Sequence, residues 1–125
     1  MKHAVVWFEI PVKDYERAKK FYSAVMDSEI TDHPMPGDQY KYGLFTHDKE
    51  NGGVGGAIIQ GEGMNPSTDG SILYLNGGDD LAVPLSRVEA NGGKVVMPKT
   101  DIDENGFIAH FTDTEGNKIA LHSMS

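Results

Sequence analysis

The chain has 125 residues, 11 basic and 19 acidic side chains, a net charge of −8 and no cysteine. Its length corresponds to a single domain, and the lack of cysteine excludes a disulfide framework, a thiolate zinc site and a cysteine nucleophile. The negative charge argues against a nucleic-acid partner, since phosphate backbones require a basic surface. Neither a signal-peptide pattern nor an apolar run of about 20 residues is present. We therefore expect a cytoplasmic domain without nucleic-acid or membrane partners.

The first half of the chain predicts a strand followed by an amphipathic helix. Residues 5–10 form a β-branched and aromatic run that Pro11 ends, which is typical of a strand. Asp14 is the predicted helix cap, because its carboxylate can accept from the free N–H groups of the first turn. Apolar side chains then recur with helical spacing and predict one buried stripe, at Ala18, Phe21, Tyr22 and Val25.

Three short strands and a linker complete this half. The strand-like runs lie at about 28–33, 39–47 and 54–60. Gly55 and Gly56 in the third run predict a close approach by another backbone or by a ligand, since glycine leaves room for one. The Gly-, Asn-, Pro- and Ser-rich stretch at about 61–70 predicts a linker.

The second half repeats this order of elements. Residues 72–75 predict a strand, and the next helix is capped by Asp79 or Asp80 and ended by the run Asn91-Gly92-Gly93. Further strands are predicted at about 94–97, 106–112 and 117–123. The order βαβββ therefore occurs twice, which indicates a first module at about 1–61 and a second at about 71–125.

Two ordered stretches resemble a known family. Residues 8–22, Phe-Glu-Ile-Pro-Val-x-Asp-x-Glu-Arg-Ala-x-x-Phe-Tyr, resemble the opening of glyoxalase, bleomycin-resistance and extradiol-dioxygenase proteins, the vicinal oxygen chelate superfamily. Residues 92–96 and 113–122 resemble the closing β-hairpin of these proteins. The resemblance implies a glyoxalase-like member with one domain over residues 1–125. It also implies an α+β fold, in which two tandem βαβββ modules form a curved, cup-shaped mixed sheet with the helices outside, and a homodimer.

The resemblance further implies four metal-ligand positions, on the first and fourth strand of each module, which metal-using members fill with His, Glu or Gln. By distance from the family motifs, these positions fall on Trp7, Gln60 (or Ile59 if the register differs by one), Ile72 and Ala120. Indole, alkyl and methyl groups offer no usable lone pair, and one neutral amide oxygen cannot hold a divalent cation against water. We therefore expect no metal site and no cofactor.

Two polar residues are candidate bases. Glu9 shares a strand face with Trp7, so it points into the predicted cup or lies at its rim. His122 is two residues beyond Ala120 and points the same way; it acts as a general base or simply bonds to a neighbour. The predicted ligand-binding residues of the cup are Trp7, Tyr40, Tyr42, Gln60, Ile72 and Ala120, whereas Tyr74 is expected to be a core residue.

Three functions are compatible with this pattern. The first is a metal-free cup that binds a small organic molecule, because aromatic walls with a few polar points suit a flat ligand. The second is a lyase or isomerase related to lactoylglutathione lyase that uses Glu9 or His122 as its base. The third is a regulatory or accessory module, which an apolar patch on an outer helix would favour.

Overall fold

A computed structural model describes residues 2–125. In the first module, β1 and α1 are followed by three strands: β1 Trp7–Pro11, α1 Tyr15–Met26, β2 Ile30–His33, β3 Tyr40–Phe45 and β4 Gly55–Gly61. The second module contains β5 Leu73–Asn76, α2 Ala82–Leu85, β6 Lys94–Asp101, β7 Phe107–Thr112 and β8 Lys118–Ser123, with short 3₁₀ turns at Glu89–Asn91 and Asp103–Asn105. The predicted α+β class is thereby confirmed. Among the described residues, no helix is long and apolar enough to cross a membrane.

The eight strands form two four-stranded mixed sheets. The first has the order β1-β4-β3-β2 and the second the order β5-β8-β7-β6. In each sheet the first strand of the module runs parallel to the fourth, and the other neighbours are antiparallel. The strands of each sheet therefore come from one module, and the edge strands are β1 and β2 in the first sheet and β5 and β6 in the second.

Helix α1 forms where its sequence predicts it. The Asp14 side chain accepts a hydrogen bond from the Arg17 amide, and the helix ends at Asp27, whose left-handed φ of 48° lets its N–H bond to the Ala24 carbonyl. The predicted apolar stripe is buried. Its Phe21 ring lies 6.0 Å from the ring of Phe111 on β7, so the helix joins the two modules.

One hydrophobic core serves both modules. The core contains residues of α1, of both sheets and of the segment that follows α2. Examples are Ile58 on β4, Val88 after α2, and Leu121 on β8. Each sheet therefore buries one face against the helices. The opposite face of each sheet is called its open face below.

The second helix is shorter than predicted. Only residues 82–85 are α-helical, and a 3₁₀ turn replaces the rest up to residue 91. After Pro84 the amides of Arg87 and Val88 bond to carbonyls three residues earlier, which tightens the chain into 3₁₀ geometry. The predicted end at Gly92 is correct, because this residue has a left-handed φ of 99°.

Candidate functional site

The open face of the first sheet carries a chain of three hydrogen-bonded side chains. The indole Nε1 of Trp7 donates to the hydroxyl of Tyr42 at 2.9 Å, and that hydroxyl donates to Oε2 of Glu9 at 2.6 Å. Burial and the hydrogen bond to Glu9 raise the pKa of Tyr42, so the phenol is a neutral donor at physiological pH. Trp7 remains 40% exposed. The structure thus places Trp7, Glu9 and Tyr42 together, as the sequence predicted.

These three hydrogen-bonded side chains, called the bridge of the first sheet below, cross the central strand β4 above a small residue. Glu9 lies opposite Ala57, and Tyr42 lies opposite the next residue of that face, Ile59. The bridge therefore passes over Ala57, which is completely buried. A larger side chain at this position would occupy the space below the bridge.

Two glycines on β4 make room for aromatic side chains. A Cβ on Gly55 would lie 2.4 Å from the ring of His47, and one on Gly56 would lie 2.3 Å from the ring of Phe8. His47 in turn sets its ring edge-on to Trp7, at 6.2 Å between centroids. The close approach predicted from the glycine pair is therefore real, but side chains make it rather than a backbone or a ligand.

Cavities lie on both sides of the Trp7–Tyr42–Glu9 chain. One of about 510 Å³ lies at the β2–β3 end of the sheet, where Tyr42, Tyr40 and His33 of the open face line it together with Tyr15 and Glu16 of α1. Another, of about 160 Å³, lies between Glu9 and Lys118 of β8. An aromatic ligand placed on this face could extend into either one.

The open face of the second sheet repeats the bridge with other groups. The hydroxyl of Tyr74 on β5 lies 3.0 Å from Nε2 of His110 on β7. Both residues lie opposite Ala120 on the central strand β8, and Ala120 is completely buried. A tyrosine therefore spans the central strand above an alanine in both modules.

Two histidines, His110 and His122, lie on this second face. Burial and the positive charge of Lys118 lower the pKa of His110, so its ring is neutral at physiological pH. Nε2 of His122 lies 2.6 Å from the carbonyl oxygen of Asn105. A carbonyl only accepts, so Nε2 carries the hydrogen of this contact, and Nδ1 has no hydrogen bond among the described residues. His122 faces the open side, as predicted from its spacing to Ala120.

Other predicted site residues lie elsewhere. Oε1 of Gln60 accepts a hydrogen bond from the Tyr15 amide at 2.7 Å, so Gln60 points to the helix side and Ile59 takes its place on the open face. Ala120 has no exposed surface through which to touch a ligand. Ile72 precedes β5 and is 37% exposed.

Tyr74 also differs from its prediction, because it is 46% exposed rather than part of the core. Sequence reasoning missed its partner His110 as well. A register for β7 against β8 would have found His110, since it lies directly opposite Ala120.

Comparison with known proteins places the chain in a family. The model of the Glyoxalase/Bleomycin resistance protein/Dioxygenase superfamily matches residues 3–121. The chain belongs to this superfamily. It is 30% identical over 117 residues to the putative glyoxylase CFP32 of Mycobacterium bovis and of Mycobacterium tuberculosis. That alignment covers 92% of the chain but 43% of each relative, so the chain spans about half the length of these proteins.

Solved structures of superfamily members share the fold. A glyoxalase I mutant from Zea mays superposes with a TM-score of 0.72 at 21% identity, covering 94% of this chain and 44% of the maize chain. TnmS3, an antibiotic-binding protein from a Streptomyces species, gives a TM-score of 0.65 at 25% identity and covers 100% of this chain and 98% of its own. The superfamily fold thus occurs both as a chain of this length and within a longer one.

The residues present do not fit the divalent metal used by many superfamily members. The four ligand positions that the family resemblance implies fall on Trp7, on Ile59 or Gln60, on Ile72 and on Ala120, and the Gln60 amide oxygen already accepts from the Tyr15 amide on the helix side. Without Gln60 these positions supply an indole, two branched alkyl groups and a methyl group. Among residues 2–125, no three His, Asp or Glu side chains are grouped so as to hold a metal ion. Such a donor set cannot replace the water shell of a divalent cation.

Proposed function

We propose that this protein binds a small, flat organic molecule on the open face of its first sheet without using a divalent metal. The observation that carries this proposal is the hydrogen-bonded set Trp7, Tyr42 and Glu9. It joins a large, exposed aromatic ring to a carboxylate through hydrogen bonds, which is the combination of apolar wall and few polar groups typical of ligand sites. The antibiotic-binding name of TnmS3, to which the chain is 25% identical, supports the same reading.

Calorimetric titration with 2-naphthol, a neutral flat probe, tests this proposal. We expect Trp7→Leu to weaken binding by about fivefold or more, because an aromatic contact contributes ~1 kcal/mol beyond its area. The matched control is Val83→Ala, which trims an exposed apolar side chain on α2, away from both open faces. Equal affinities of Trp7→Leu and the control would contradict binding at this face.

We also propose that two copies of the chain pair through their open faces and enclose the ligand between them. Trp7 and Tyr74 expose apolar rings on the two faces, and pairing of the faces would cover both rings. Pairing around a two-fold axis is also the commonest assembly of a soluble chain.

Light scattering after size-exclusion chromatography tests this pairing. We expect a mass of twice 13.6 kDa for the natural sequence and the single-chain mass for Tyr74→Glu, because a carboxylate on the second face would be buried without a partner. Val83→Glu adds the same charge outside both faces and should leave the dimer intact. A single-chain mass for the natural sequence would contradict the proposal.

Catalysis of a lyase or isomerase reaction is the second candidate. His122 favours it, because its Asn105 contact leaves Nδ1 available as a proton acceptor. The test is conversion of the hemithioacetal of methylglyoxal and glutathione, measured in the presence of a chelator. Activity that His122→Gln or Glu9→Gln removes would support an enzyme; no turnover would leave ligand binding as the function.

A regulatory or accessory module is the least supported of the three readings. In the described part of the chain, Val83 is the exposed large apolar residue of the helices, and isolated surface residues of this kind are ordinary.

The cytoplasmic location stays a prediction.

A further inference from the structure

The carboxylate of Glu9 lies on an aromatic face without a bound positive charge. Among residues 2–125, no Lys, Arg or His nitrogen lies within 4 Å of it; the ion pairs of the chain use Glu115, Asp32 and Asp80 instead. The strand positions of this open face hold neither lysine nor arginine. Lys118 lines the same cavity of about 160 Å³ as Glu9.

The hydrogen bonds on this face fix where the negative charge points. Tyr42 donates to Oε2 of Glu9, and Trp7 donates to the Tyr42 hydroxyl, so the one donor on the carboxylate is itself held in place by the indole. Oε1 has no hydrogen bond among the described residues. Trp7 and Glu9 are two residues apart on the same face of β1, so a cation as large as an alkylated ammonium can contact the carboxylate and the exposed indole at once, and the two attractions would add.

From this arrangement we propose that Glu9, Trp7 and Tyr42 form the binding site for an organic ammonium group carried by the ligand. The site recognises an alkylated or aryl-substituted ammonium rather than a metal ion, because an aromatic ring and one carboxylate oxygen suit a large, weakly hydrated cation. The proposal rests on the proposed binding function and adds the chemical class of the ligand.

Trp7 provides a direct signal, since it is the only tryptophan of the chain. We would titrate the protein with benzyltrimethylammonium and with neopentylbenzene, its neutral isostere in which carbon replaces nitrogen, and follow the fluorescence of Trp7. Buffer, co-solvent and salt are the same in all titrations. The cation is expected to bind about tenfold more tightly than the isostere, the effect of roughly 1–2 kcal/mol given by a cation on an aromatic ring.

Three variants test the role of the carboxylate. Glu9→Gln keeps the shape of the side chain and should weaken the cation about fivefold to tenfold while leaving the isostere within about twofold. Lys118→Met removes the like charge across the cavity and should strengthen cation binding about twofold. Glu29→Gln removes one exposed negative charge that makes no hydrogen bond among the described residues, and it should change neither titration.

The outcomes separate this proposal from the broader one. Equal affinities for the two probes, or an unchanged cation affinity in Glu9→Gln, would overturn the ammonium site while leaving small-molecule binding in place. Absence of any signal with both probes in the natural sequence would overturn binding at this face altogether.

Discussion

Glu115 links the two modules and provides the sharpest test of how they are held together. Its side chain has no exposed surface, and it forms a two-pronged ion pair with Arg17, at 2.7 Å from Nε and 3.0 Å from Nη2. Oε1 also accepts from the amides of Lys13 and Asp14, which lead into α1. A carboxylate from the turn between β7 and β8 thus binds the beginning of the helix of the other module. We predict that Glu115→Gln lowers the free energy of unfolding substantially.

The size of the effect follows from the pKa of this carboxyl. Burial alone would raise it, but the hydrogen bonds from Arg17, the two amides and Thr114 outweigh burial and lower the pKa of Glu115 from 4.5 to about 2. Such a difference corresponds to about 3 kcal/mol of stability at neutral pH. Since the folded state holds the lower pKa, this stability is complete above about pH 5. About 2 kcal/mol of it is lost by pH 3, as the unfolded state takes up protons first.

Urea unfolding of the natural sequence and of Glu115→Gln, at pH 7 and at pH 3, measures both quantities. We expect a difference of about 3 kcal/mol at pH 7 and about 1 kcal/mol at pH 3. The control is Glu104→Gln, an exposed residue whose side chain makes no hydrogen bond among the described residues. A difference below about 0.5 kcal/mol at pH 7, or one that does not shrink at pH 3, would refute the reasoning.

Three further changes have defined outcomes. Phe111→Ala should lower the free energy of unfolding in urea by about 3–5 kcal/mol, because the ring is completely buried against Phe21. A loss under about 1 kcal/mol would mean that neighbouring side chains move in to fill the cavity. Gly77→Ala should lower the free energy of unfolding by about 1–3 kcal/mol, since the new Cβ would lie 2.7 Å from the His122 carbonyl oxygen. Unchanged stability would show that the backbone of β8 moves to make room for the Cβ. Because the pKa of His110 is lowered, the natural sequence should lose stability as the pH falls below 6.5, and His110→Gln should lose less; parallel pH profiles would contradict this.

The elements that the sequence predicted best are those decided by local chemistry. The cap at Asp14 and the apolar stripe of α1 act within one helix, so their spacing alone is sufficient. The prediction of a continuous second helix was wrong, because Pro84 and the tertiary contacts of Val88 favour a tighter turn. The strength of tertiary contacts relative to helix propensity cannot be read from the sequence. Strand β6 extends past its predicted end, as an edge strand with irregular register that tolerates Pro98.

Side-chain orientation within the site was harder to predict, because it depends on register between strands that are distant in sequence. Trp7 and Glu9 are two residues apart on one strand, so alternation places both correctly. The position of Gln60 had to be counted across loops of uncertain pairing. An error of one residue in that count placed Gln60 on the open face in the prediction, whereas the structure has it on the helix side. His110 and Tyr74 needed knowledge of which residues flank Ala120, which only the pairing of three strands provides.

The two bridges explain why the centre of each open face holds alanine. Tyr42 reaches Glu9, and Tyr74 reaches His110, only because the residue beneath is small enough for a phenol to lie across the central strand. A histidine or glutamate under either phenol would displace it and separate its partners. This chain has the bridges, and the one that holds Glu9 leaves a carboxylate oxygen and the ring of Trp7 facing outward.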